Sequence, residues 1–183
     1  MVNVTGRINA RKILLSYLYQ HCFFYTLVKK DAIIDEILFV DYVFKTDNEK
    51  FDEAKKEFIK KIQEHLYIPT QEEIKDFADM FFDNRPDSDI DFDYLFKVAL
   101  AFPKYKDELI AQVNTYATTF TFDQMDTIDQ AIFILGYTEW KTIQTPKEIL
   151  LNEMIELAKR YSDEGAPKLI NGIMHKIILA GSS

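Results

Sequence analysis

The sequence contains few residues that build tight turns or covalent frameworks, with five glycines, five prolines and one cysteine among 183 residues. So few turn formers argue against a β fold of many short strands. The single cysteine, Cys22, excludes an internal disulfide framework and fits a reducing cytoplasm. By contrast, 48% of the residues are hydrophobic, so one domain, or two tightly packed halves, can bury a core.

Acidic residues are absent from the first thirty positions, although the whole chain has a net charge of −8. The cations of this segment are Arg7, Arg11, Lys12, Lys29 and Lys30. A basic N-terminal segment on a chain of negative net charge is compatible with phosphate binding, although the net charge alone would argue against it. Charge by itself favours a simpler interpretation, in which these side chains are the solvated end of a helix.

The same segment lacks charge from Ile13 to Val28, directly after an arginine and a lysine. This arrangement resembles part of a signal peptide, but polar residues interrupt it and no small-residue cleavage site follows. It is also shorter than the roughly 20 residues of a membrane-spanning helix. We therefore expect a buried, aromatic-rich core helix and no association with a membrane.

Residue types that support catalysis or metal binding are scattered along the chain. The three histidines lie far apart, the glycines are isolated, and carboxylates lie on helix faces beside lysine and arginine. The alternating aspartates of residues 83–93 lack the glycine and glutamate of an EF-hand loop, which leaves a solvated linker. The sequence therefore predicts neither an enzyme nor a bound cofactor or metal.

Apolar residues recur at helical spacing from end to end. The first predicted helices cover residues 7–28, 31–44 and 48–66, and a fourth begins at a capping box from Thr70 to Glu73. We expect one all-α domain over residues 1–183, a compact bundle of two packed helical halves. It comprises N-terminal helices in 1–44, a helical insertion in 45–91 and C-terminal helices in 92–183.

The dipeptide Asn171-Gly172 conflicts with its surroundings. It usually marks a two-residue hairpin turn, yet it lies inside an apolar stripe of helical spacing that runs from Leu169 to Ile178. A glycine inside a helix costs about 1 kcal/mol relative to alanine. We expect close packing against Gly172 to offset this cost, and Asn171 to hydrogen-bond the backbone of the preceding loop.

Three separated motifs form a composite pattern. The C-terminal motif consists of Pro146, Leu151-Asn152-Glu153, Glu156, Ala158-Lys159 and Lys168-Leu169-Ile170-Asn171-Gly172. Before it stand Phe120, Asp123, Ile128-Asp129 and Glu139, and near the N-terminus Arg7, Ala10-Arg11 and Leu18-Tyr19. Together they resemble the NusB family of bacterial transcription antitermination factors, and the combination is specific although each piece alone is weak.

The resemblance implies a helical factor that binds the boxA element of nascent ribosomal RNA. Its implied partners are the small-subunit ribosomal protein NusE and the transcription elongation complex, and it would be a monomer or a homodimer. The expected RNA contacts are Arg7, Arg11, Lys12 and Lys168, and the expected partner contacts are Tyr19 and Asp129. Because Arg7 and Arg11 lie four residues apart on one helix face, we expect both to be exposed to phosphates.

Other interpretations stay open at this point. A protein-interaction module on the same scaffold, with weak or lost RNA binding, fits the negative charge. It also fits Gln124 and Ile134, which stand where the family often has arginines. The family serves as an appended domain of ribosomal RNA methyltransferases too, but 183 residues leave no room for a catalytic domain. Tyr19 could equally be a core residue with a satisfied hydroxyl.

Overall fold

The computed structural model describes residues 4–29, 53, 56, 57, 60, 69–81 and 89–181. Within these residues the regular structure is helical and contains no β-strand. The helices are α1 (Val4–Lys29), α2 (Gln71–Phe81), α3 (Phe92–Ala99), α4 (Phe102–Tyr116), α5 (Thr127–Ile143), α6 (Lys147–Tyr161) and α7 (Ala166–Gly181). A short 3₁₀ helix, Phe122–Gln124, precedes α5. The predicted all-α class is confirmed.

Helix α5 is the centre of the fold. Every residue from 129 to 139 is buried, which is the property of a helix that is surrounded by other elements on all sides. Helices α1 and α3 pack against it in one group, and α4, α6 and α7 pack against it in another. The grouping does not follow the predicted division of the chain, because α3 lies within residues 92–183 and yet packs with α1.

The predicted start of the fourth helix, α2 in the structure, is confirmed. The Thr70 hydroxyl accepts the amide of Glu73 at 3.2 Å, and the Glu73 carboxylate accepts the amide of Thr70 at 3.0 Å, so the capping box before α2 is complete. The predicted helices over 31–44 and 48–66 lie outside the described residues, apart from isolated positions. The insertion over 45–91 and its boundaries therefore stay predictions.

The expected packing at Gly172 is wrong. A Cβ built on Gly172 meets no atom within 4 Å, and both Asn171 and Gly172 are exposed. Among the described residues, the Asn171 side chain also makes no hydrogen bond. Close approach occurs instead at Gly136 in α5, where a Cβ would overlap the side chain of Met154 in α6. Close packing therefore involves Gly136 and not Gly172, and Gly172 needs another explanation.

Candidate nucleic-acid interface

Arg11 lies inside the protein, where it joins α1 to α5 and α6. Its side chain donates to both carboxylate oxygens of Glu139, with Nη2–Oε1 at 2.7 Å and Nε–Oε2 at 3.0 Å. A further hydrogen bond, from Nη1 to Oε2 of Glu153, measures 3.1 Å. Arg11 is only 6% exposed, so the expectation that it lies on an open helix face is wrong. A guanidinium that is satisfied in this way acts as a structural cation.

The Glu139 carboxylate accepts four hydrogen bonds within this cluster. Besides the two bonds from Arg11 it accepts the Tyr94 hydroxyl at 2.6 Å and the Thr145 hydroxyl at 2.7 Å. A carboxylate has about four acceptor sites, so no site is left for a ligand. Burial alone would raise the pKa of Glu139, but the hydrogen bonds from Arg11, its positive charge and the bonds from the two hydroxyls lower it below the ordinary value.

Arg7 is paired one helical turn earlier on α1. Its Nη2 and Nε lie 3.0 and 3.1 Å from Oδ2 of Asp91, and the other oxygen of Asp91 caps α3 by accepting the amide of Tyr94. The Arg7 guanidinium also lies 4.7 Å from the centre of the Tyr94 ring, within range of a cation–π contact. Unlike Arg11, it is half-buried, so a phosphate could compete with Asp91 for it.

The two lysines among the predicted RNA contacts differ from the two arginines in their surroundings. Lys12 is half-buried on α1 and Lys168 is exposed in the first turn of α7. Neither forms an ion pair with any carboxylate of the described residues. The structure therefore separates the four predicted residues into two internally paired arginines and two lysines whose charges are not neutralised by a described neighbour.

The two predicted partner contacts, Tyr19 and Asp129, differ in their exposure to solvent. Tyr19 is 43% exposed on α1, and Phe23, one turn later, is 40% exposed, so the hypothesis that Tyr19 is a core residue does not hold. Asp129, in the first turn of α5, is buried and accepts a short hydrogen bond from the Ser162 hydroxyl. Burial raises the pKa of Asp129 above its ordinary value, despite the opposing effect of Ser162. Asp129 thus ties α5 to the end of α6.

An open groove lies beside Gly172, between the end of α4 and the start of α7. We call it the α4–α7 groove, and its volume is about 360 Å³. Its lining residues are Tyr116, Ala117, Thr118, Gly165, Lys168, Leu169, Gly172, Ile173 and Lys176. Sequence reasoning identified Lys168 but missed Tyr116 and Lys176. The recurrence of Lys168, Gly172 and Lys176 at spacings of four, which gives one face of a helix, was the available signal.

The described residues contain no feature of a metal centre or a membrane span. No three or more of their His, Cys, Asp and Glu side chains are grouped so as to hold a metal ion. None of the described helices combines the length and the apolarity that crossing a bilayer requires. Among the described residues, the α4–α7 groove and the exposed face of α1 are two features that could contact a ligand.

Comparison with known proteins identifies the family of this all-α domain. The sequence profile of the NusB family matches residues 43–179. The chain is 27% identical to the transcription antitermination protein NusB of Clostridium kluyveri over 122 residues, 66% of this chain and 78% of that protein. The proteins of the same name from Clostridium botulinum and Streptomyces coelicolor are 32% and 39% identical over 91 and 72 residues.

The chain belongs to the NusB family, because the family profile covers most of its length. The matches to the Clostridium botulinum and Streptomyces coelicolor proteins cover 49% and 39% of this chain, and 64% and 49% of those proteins. The chain thus spans from about half to about three quarters of the length of these relatives. The profile match begins at residue 43, so it includes the whole of the segment, residues 45–91, that the sequence predicts to be an insertion.

Proposed function

We propose that this chain is an RNA-binding transcription antitermination factor that acts on boxA-like nascent ribosomal RNA together with the ribosomal protein NusE. Family membership and the similarity to transcription antitermination proteins support the antitermination role. The observation that carries RNA binding is the charge of α7. This helix contains Lys168, His175 and Lys176 and no acidic residue, on a chain whose net charge is −8.

The primary RNA contacts in this proposal are the cations without an internal carboxylate partner. Lys168 and Lys12 can bind phosphate without breaking an ion pair to a described residue, whereas Arg11 would have to leave the buried Glu139. Leaving a buried carboxylate unpaired is strongly unfavourable. We therefore assign Arg11 to the support of α1, with Arg7 as a secondary contact that exchanges Asp91 for phosphate.

The protein partner is assigned to the exposed face of α1. Tyr19 and Phe23 are large aromatic residues one turn apart, and exposed aromatic residues are enriched in protein interfaces. Asp129 contributes indirectly in this proposal, because its carboxylate is already engaged by Ser162. Its role in this proposal is to fix the relative position of α5 and the end of α6.

A second candidate function is a protein-interaction module with weak or lost RNA binding. The internal neutralisation of Arg7 by Asp91 and of Arg11 by Glu139 favours it, since both arginines were candidates for phosphate contact. The two functions differ in whether the protein binds RNA. The first function requires RNA binding, either by the protein alone or together with NusE. The second requires only the binding of a protein partner.

Fluorescence anisotropy of a labelled boxA-like RNA, titrated with the protein in the presence and absence of NusE, distinguishes these functions. We expect saturable binding that is strengthened by NusE and is weaker for a scrambled RNA. Tyr19→Ala should abolish the strengthening by NusE, whereas Tyr161→Ala should not, since Tyr161 is equally exposed but lies at the end of α6. Binding of NusE without any binding of RNA would establish the second candidate.

A further inference from the structure

The α4–α7 groove has a glycine where a helix would normally carry a side chain. Gly172 is in the middle of α7, where glycine is unfavourable by about 1 kcal/mol relative to alanine. A Cβ at this position would enter open space, so no neighbouring element requires the glycine. Gly172 nevertheless lines the groove, and any larger side chain there would occupy part of its volume. The absent side chain therefore creates room for a ligand.

The walls of the groove combine an aromatic ring and aliphatic side chains. The half-buried Tyr116 lies at the end of α4, and Leu169 and Ile173 line the groove from α7. Its volume, about 360 Å³, falls in the range of roughly 300–1,000 Å³ that small-molecule sites occupy. These features suit a flat, mainly apolar group, such as a nucleobase, which can stack on an aromatic side chain.

Two exposed lysines border this space. Lys168 and Lys176 are eight residues apart on α7, which corresponds to about 12 Å along the helix axis, with Gly172 midway between them. Among the described residues, neither lysine has a carboxylate partner. Two positive charges on either side of an apolar floor match a ligand that has a base in the centre and phosphates at both ends.

We propose that the α4–α7 groove holds one unstacked base of a single-stranded RNA. Tyr116 contacts the face of the base, Gly172 provides the floor, and Lys168 and Lys176 bind the phosphates on its two sides. Duplex RNA is excluded, because its bases are paired and stacked and cannot enter the groove. This inference rests on the proposed RNA-binding function, and it adds the position, the residues and the requirement for a single strand.

Gly172→Leu tests the proposal, because its Cβ meets no neighbouring element and its side chain extends into the groove that Gly172 lines. The matched control is Asn171→Leu, which adds the same side chain at the adjacent exposed position outside the groove lining. Both variants are titrated with a single-stranded boxA-like RNA in the presence of NusE. The titration is repeated with RNAs in which one base at a time is replaced by an abasic nucleotide.

We expect Gly172→Leu to weaken RNA binding about tenfold and Asn171→Leu to leave it unchanged. One abasic position should weaken binding to the wild type by a similar factor and have no further effect on Gly172→Leu, because the same contact is already lost. Equal affinity of Gly172→Leu and wild type, or fully additive effects at every abasic position, would overturn the groove proposal while leaving RNA binding intact. Absence of RNA binding by the wild type would overturn both proposals.

Discussion

The guanidinium of Arg11 and the carboxylate of Glu139 meet at 2.7 Å although they are 128 positions apart in the sequence. The pair connects α1 to the central helix α5, and Glu153 extends it to α6. Arg11, which the sequence pattern assigns to RNA contact, is thus part of the scaffold. The surface cations that can neutralise phosphate lie elsewhere, on α7 and at Lys12.

Arg11→Ala should destabilise the protein by about 3–5 kcal/mol, because it leaves the buried Glu139 without its cation. Arg7→Ala is the matched control, with an expected loss of no more than about 1 kcal/mol, since its ion pair with Asp91 is partly open to water. Urea unfolding of both variants measures the difference. Similar small losses for the two arginines would show that the Glu139 cluster contributes little to stability.

The cluster also predicts how stability depends on pH. Because the pKa of Glu139 is lowered in the folded protein, its stabilising contribution is complete above the ordinary value of 4.5 and is lost as the pH falls through the lowered folded value. The difference in unfolding free energy between wild type and Glu139→Gln should therefore be constant from pH 7 to about 5 and decrease below about 4.5. A difference that already decreases between pH 7 and 5 would mean that the folded pKa is raised.

Leucine substitutions at two glycines should have opposite effects on stability. Gly136→Leu places a side chain where Met154 already lies, so we expect a loss of about 1–3 kcal/mol or more from overpacking. Gly172→Leu meets open space and replaces a poor helix former, so stability should be unchanged or rise by up to about 1 kcal/mol. Thermal unfolding compares them, and a lower midpoint for Gly172→Leu would restore the packing explanation.

Local features of the fold could be predicted from the sequence, since they depend on neighbouring residues. The capping box at Thr70 and Glu73 and the extent of α1 follow from short patterns. The burial of Arg11 depends on a distant carboxylate, which no local pattern contains. One hint existed, because Leu14 and Leu18 follow Arg11 by three and seven residues and so share its helix face, which is the face that is buried.

The candidate site was only partly predictable, because it also depends on residues that are distant in the sequence. Lys168 belongs to a recognisable motif, but the groove beside it forms only when the end of α4 packs near the start of α7. Tyr116, more than fifty residues earlier in the chain, could not be assigned to it from spacing. The helical context of Gly172 predicts a packing position. Its surroundings depend instead on the position of α4 relative to α7, which leaves open space beside Gly172.

The most direct test of the central claim is the salt dependence of RNA binding, measured in the presence of NusE for wild type and for Lys168→Ala with Lys176→Ala. Each lost phosphate contact should reduce the slope of log affinity against log salt by about 0.7, so the double variant should show a slope flatter by about 1.4. Lys97→Ala with Lys104→Ala, two exposed lysines on α3 and α4, is the control and should keep the wild-type slope. Equal slopes for all three proteins would contradict the claim that RNA binds along α7.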